Sequence, residues 1–138
     1  MPHLSLSCRA RRLARGALVL LLAAATPPGP EDAALLERGA MVFTAKGCGD
    51  CHTLAGVASG THAPDLTGLG NRRYLAGGRL PNSPADLRRW LRNPQGIKPG
   101  SYMPNLWRRD DPEAEAEIDA VIASILSHPP PDARRSAP

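Results

Sequence analysis

The chain has 138 residues, 42% of them hydrophobic, and a formal charge of +4 with a sequence pI near 9.4. Arg9, Arg11, Arg12 and Arg15 supply all of that excess, because after Ala25 thirteen basic residues are matched by thirteen acidic ones. The balance excludes a nucleic-acid partner, which needs a strongly basic surface on the folded part. A length of roughly 110 residues after Ala25 is that of one small domain.

Residues 1–25 are expected to be a secretory signal. The basic stretch is followed by an apolar run, Ala17 to Ala25, with Ala23-Ala24-Ala25 as an A-x-A-like cleavage site. The run is too short to span a bilayer well, and an uncleaved anchor is the alternative. Cys8 precedes the run and would leave with it. Residues 26–30 form a Pro-rich linker. The spacing of Leu36, Gly39, Ala40 and Phe43 (i, i+3, i+4, i+7) predicts a helix over 31–46, with Glu31 and Asp32 favourable at its N-terminus and Gly47 ending it. Residues 52–81 are rich in Gly, Thr and Pro and are expected to be mostly loop, a length that a compact domain tolerates only when the loop wraps something. Ser83-Pro84-Ala85-Asp86 starts a second helix, with Ser at the N-cap and Pro at the first helical position. This helix carries Leu87, Trp90 and Leu91 on one face and stops at Asn93-Pro94. A second loop, 97–104, contains Lys98-Pro99-Gly100. Asp111 is the expected N-cap of a last helix whose Ile118, Val121, Ile122 and Ile125 repeat the helical period, and His128-Pro129 ends it. Residues 129–138 read as a disordered tail. No strand pattern stands out, so the expected class is all-α.

The charge is unevenly spread. Residues 72–109 hold nine basic side chains and one acid, Asp86, whereas residues 110–117 are acidic. Such a dipole can orient a docking partner. A solvated surface that neutralises acidic groups of a ligand is the equal alternative.

Chemistry concentrates at Cys48-Gly49-Asp50-Cys51-His52. C-x-x-C-H is the attachment signature for c-type haem. Two thiols add across the two vinyl groups of one porphyrin, and the adjacent imidazole lies under the iron as an axial ligand. A zinc half-site lacks a regularly spaced fourth ligand here, and a thioredoxin-like dithiol wants a preceding strand where a helix is predicted. With one Phe, two Trp and two Tyr the domain has a thin core that a flat apolar cofactor would fill. For the sixth iron ligand the candidates are Met41, Met103, His3, His62 and His128. His3 would leave with the signal, and Met41 lies inside helix one, where it reads as packing. Met103 stands in a stiff loop between a Pro-Gly turn and Pro104, and chemistry favours it. A thioether ligand raises the potential, and two axial ligands leave no open site for substrate.

At this point the sequence resembles class I c-type cytochromes over most of its length after the signal. Gly39-x-x-x-Phe43 resembles the helix-one motif of that family. More specifically, Pro64-Asp65-Leu66-Thr67-Gly68-Leu69-Gly70, Leu80-Pro81-Asn82-Ser83-Pro84, Trp90-Leu91-x-x-Pro94-Gln95 and Lys98-Pro99-Gly100-x-x-Met103-Pro104 are similar to the cytochrome c domain fused to subunit II of some bacterial haem–copper oxidases. The resemblance implies a small all-α cytochrome c fold over residues 31–128, with terminal helices crossing and loops wrapped around one covalent haem c. It implies Cys48 and Cys51 as tethers and His52 and Met103 as axial ligands. It further implies Pro64 as carbonyl partner of the His, Arg72 as partner of a haem propionate, and Trp90 as an aromatic over the haem. No copper-binding cupredoxin domain accompanies these motifs. Ser124 stands where the family usually has an aromatic, which implies a less filled helix crossing. The function implied is not enzymatic: electron transfer in a respiratory chain at the periplasmic face, with redox proteins as partners and a terminal oxidase as one acceptor. A fixed subunit of a membrane oxidase or dehydrogenase complex is the alternative, with membrane association through that complex or through the N-terminus. A haem peroxidase is a weaker one, since no distal His–Arg arrangement is legible.

Overall fold

The first long helix, α1 (Pro30–Ala45), begins where proline fixes φ at the first helical position and Asp32 Oδ2 accepts a hydrogen bond from Gly29 N at 3.0 Å. It ends in a tight turn closed by Gly47 N donating to Thr44 O at 3.0 Å, with Gly47 in the left-handed region at φ 71°. Its buried face is Gly39 and Phe43, as the periodicity predicts. This computed structural model describes residues 29–130. The expected signal with Cys8 and His3, and the tail beyond Pro130, lie outside the described residues.

A single helical turn, α2 (Cys48–Cys51), follows, then two short antiparallel ladders: β1 (Thr53–Leu54) with β2 (Ala58–Ser59), and β3 (Tyr74–Leu75) with β4 (Leu80–Pro81). Leu54 pairs with Ala58 and Leu75 with Leu80, which pins three buried leucines. The sequence reading anticipated no strands. Two-residue ladders show no alternation to read, and each is set by its turn rather than by its pattern.

Helix α3 (Pro84–Arg92) starts as expected, with Ser83 Oγ accepting from Asp86 N at 3.0 Å. It runs into a one-turn helix, α4 (Pro94–Ile97), capped by Asn93 Oδ1, which accepts from Gly96 N at 3.0 Å. The last helix, α5 (Ala114–Ser127), begins later than the sequence suggests. Asp111 does not cap it. Its Oδ1 accepts from Glu113 N at 3.0 Å and organises a turn one step earlier, leaving the helix without a side-chain N-cap. His128 ends α5, its Nδ1 lying 2.6 Å from Ser124 O.

Helices α1 and α5 pack directly on each other. A Cβ added at Gly39 would stand 2.0 Å from Ala120 O and 2.6 Å from Ser124 Cβ, so the two backbones are in contact there. Ser124 is 1% exposed. The crossing expected to be underfilled is therefore close-packed: a small residue at 124 admits the opposing backbone in place of an aromatic ring. Aromatic mass enters instead from Trp107, 4% exposed, in the segment before α5. Its Nε1 donates to Glu117 Oε2 at 2.7 Å, and Lys46 Nζ sits 5.6 Å from its ring centroid and 2.7 Å from the same carboxylate oxygen. This cluster joins the end of α1 to the start of α5.

The charge dipole is also altered by folding. Arg88 and Arg92 on α3 pair with Asp119 and Glu115 on α5, and Arg89 pairs with Asp86 at 2.8 Å. Opposite blocks that are separate in sequence thus meet in one α3–α5 interface. Among the described residues no helix is long and apolar enough to cross a membrane.

Candidate haem-binding site

The residues that the sequence nominates lie on α2 and just after it, in the loop after β2, on α3 and in the segment following α4. Gly47 turns the chain so that α2 can begin immediately, and His52 N closes it by donating to Cys48 O at 2.9 Å. The turn places Cys48 against the core and leaves Cys51 exposed. Burial pushes the Cys48 thiol up to about 11. Among the described residues, no three of His, Cys, Asp or Glu are grouped to hold a metal ion by themselves.

His52 is half-buried, and its Nδ1 lies 2.7 Å from Pro64 O. A proline carbonyl can only accept, so the imidazole proton sits on Nδ1 and the Nε2 lone pair is left for a metal. The segment that presents this carbonyl is tied down on every side. Ala63 N donates to Cys51 O at 2.9 Å and Leu66 N to Thr53 O at 2.8 Å. Asp65, to which the sequence assigned no role, accepts from Thr67 N at 2.7 Å in an Asx turn. The Thr67 hydrogen bonds hold the Asp65 carboxyl below the usual range, with a smaller contribution from Arg72. Arg72 Nη2 donates to the carbonyls of Asp65 and Thr67. The guanidinium thus reaches back onto the loop beside Pro64, which leaves its Nε and Nη1 donors for another acceptor.

Met103 and Trp90 are both half-buried and packed against the core cluster, together with Leu66, Ile97 and Leu106. The other ligand candidates stand elsewhere. Met41 is 60% exposed on the outer face of α1, not packed as the sequence suggested. His62 is exposed, and His128 is engaged at the end of α5. Tyr102, beside Met103, is fully exposed.

These residues fit a c-type haem by the chemistry of the donor set. Two thiols flank one helical turn, an imidazole offers a single free nitrogen, a thioether stands on a separate loop, and half-buried apolar side chains, Trp90 and Leu66 among them, pack against the core.

Three residues here escaped the sequence reading. Trp107 was not singled out because its burial depends on Lys46 and Glu117. Asn82 Nδ2 donates to Leu69 O at 2.7 Å and Arg72 O at 2.8 Å, while its Oδ1 is buried without a partner. Gln95 Nε2 donates to Met103 O at 3.0 Å and also to Ser101 O. Pro94-Gln95 and Pro81-Asn82 are the only sequence signals at these positions, and neither pair shows what the amides touch.

The cytochrome c family model matches residues 36–129. The chain is 36% identical over 94 residues to cytochrome c oxidase subunit 2 of Alkalihalophilus pseudofirmus, an alignment covering 67% of this chain and 25% of that protein. It is 30% identical over 95 residues to cytochrome c oxidase subunit 2 of Bacillus sp. strain PS3, covering 66% of this chain and 25% of that protein. The chain thus spans about a quarter of the length of these curated relatives. With the match extending from α1 through the end of α5, the chain belongs to the cytochrome c family and is a class I c-type cytochrome related to oxidase subunit II.

Proposed function

We propose that this protein carries one covalent haem c and serves as a single-electron carrier on the periplasmic side of a respiratory chain. The observation that carries the reading is the His52–Pro64 hydrogen bond directly after the two-thiol turn, which readies one imidazole nitrogen for iron. In this reading Cys48 and Cys51 are the tethers, and His52 and Met103 are the axial ligands. When bound, the haem supplies a reversible Fe(III)/Fe(II) couple. The protein's part is to hold both axial donors, keep water from the buried side and leave an edge accessible for brief docking of a redox partner. Pro64 orients His52. Trp90 is proposed to pack on the porphyrin, and Arg72 to direct its remaining donors to a propionate.

A second reading is favoured by the relatives, both of which are named as oxidase subunits. In it the same haem domain is a fixed component of a membrane oxidase or dehydrogenase complex. Co-purification of the holoprotein with such a complex through detergent washes distinguishes that from a diffusible carrier.

The primary test is an absorption spectrum of the extracytoplasmic product, ferric and reduced. Haem retained through denaturation supports the two thioethers, and its loss on denaturation overturns the central reading. Met103→Ala is expected to change the ferric spectrum and lower the potential. An unchanged ferric spectrum overturns the assignment of Met103.

A further inference from the structure

The segment that carries Met103 belongs to no helix or strand. Ser101 N donates to Lys98 O at 3.0 Å and closes the Lys98-Pro99-Gly100 turn. Beyond that turn, among the described residues, no main-chain to main-chain hydrogen bond involves residues 102–107. Pro104 has no N–H to offer. Met103 is held on both sides by side chains: its N–H donates to Ser101 Oγ at 3.2 Å, and its carbonyl accepts from Gln95 Nε2 at 3.0 Å. The same Gln95 nitrogen donates to Ser101 O. A primary amide nitrogen has two hydrogens, so one Nε2 can serve both carbonyls.

Gln95 projects from a rigid base. Pro94 is fully buried, Lys98 N donates to Pro94 O at 2.8 Å, and Asn93 Oδ1 caps Gly96 N at 3.0 Å. A Cβ at residue 96 would stand 2.2 Å from Asn93 Nδ2 and push that capping amide aside. A fixed Cα and a two-donor head group reaching carbonyls on either side of Tyr102 make a latch. Met103 and Leu106 pack on the core and Trp107 is anchored beyond them, but among the described residues the main chain between the turn and Trp107 is held only by the side chains of Gln95 and Ser101.

We propose that Gln95 is a positioning residue that holds the Met103 loop closed, so that its loss opens the sixth coordination position of the iron to outside ligands. The inference rests on the reading of Met103 as axial ligand, and the test separates the two. Ferric holoprotein is titrated with imidazole, and binding is followed by absorption, in the parent, Gln95→Ala, Gln95→Glu, Met103→Ala and Ser83→Ala. Gln95→Ala removes both donors, and imidazole affinity rises on the order of tenfold. Gln95→Glu keeps the size of the side chain but sets acceptors against the two carbonyls, so its affinity rises at least as far. Ser83→Ala weakens the start of α3 without touching the loop and leaves affinity at the parent value. Parent-like binding by Gln95→Glu overturns the latch, as does a rise in Ser83→Ala equal to that in Gln95→Ala. Tight binding by Met103→Ala with parent-like binding by both Gln95 variants refutes the latch alone. Parent-like binding by Met103→Ala removes the ligand assignment, and the latch falls with it.

Discussion

Gly39→Ala sets two effects of opposite sign against each other. Position 39 lies in the interior of α1, where alanine is favoured over glycine by about 1 kcal/mol on propensity alone. Against this, the added methyl would stand 2.0 Å from the main-chain oxygen of Ala120 and 2.6 Å from Ser124 Cβ, where ordinary contact begins near 3.4 Å. The nearest atom belongs to a helix backbone, so no rotamer change relieves it. α1 and α5 must separate locally by about 1.4 Å, lifting Phe43 from its fully buried site. Overpacking of ordinary cores costs roughly 1–3 kcal/mol, and a rigid carbonyl puts this case at or above the top of that range. The net expectation is a loss of roughly 2–3 kcal/mol, or a fall in Tm of about 10–20 °C for a domain of this size. Thermal unfolding of ferric holoprotein by far-UV circular dichroism measures it, with haem attached in parent and variant alike. A Tm equal to or above the parent's would show that propensity wins, and the argument for backbone contact at the crossing would be wrong.

Three further outcomes follow from local geometry. Glu117 is held below its ordinary value of 4.5, chiefly by its hydrogen bond from Lys46 and further by Trp107. A depressed folded pKa contributes stability that is present above the unfolded value and disappears as pH falls through the folded one. Denaturant midpoints should thus favour the parent over Glu117→Gln at pH 7, with the gap narrowing as pH falls below the ordinary value of 4.5; a gap that does not narrow on acidification contradicts the linkage. Ser83→Ala removes the α3 cap, for about 1 kcal/mol in urea unfolding, and no measurable change would mean that Pro84 and Asp86 suffice. Arg92→Ala breaks an ion pair between partly exposed groups. It should cost under about 1 kcal/mol, less still in 1 M salt, and a larger, salt-independent loss would show that the lost interaction is packing of the arginine stem.

What could be read in the sequence and what could not divide along the range of the interaction. Ser83-Pro84, Glu31 with Asp32, and Gly47 act within one turn of where they stand, so the helix limits they set are legible from neighbours alone, although α1 begins one residue earlier, at Pro30, than the linker reading placed it. The haem motif is legible for the same reason: both thiols and the imidazole lie within five consecutive residues. Asp111 shows the limit of that logic. Asp-Pro-Glu is good N-cap chemistry, yet Asp111 is spent on its own Asx-type turn, an alternative that the same residues offer equally well.

Charge shows the same limit at longer range. Read along the chain, nine cations ahead of an acidic block look like a docking dipole. In the fold, Arg88 and Arg92 meet acids 31 and 23 positions away, so part of that dipole becomes the joint between α3 and α5. A sequence gives the sign of a segment, but which charges still face a partner depends on which helices cross. Gln95 behaves alike: it is an ordinary polar residue until the Pro-Gly turn brings the carbonyls of Ser101 and Met103 within reach of one amide. The two thiols and the imidazole are therefore written locally, whereas the contacts that hold Met103 exist only once its loop has folded against Gln95.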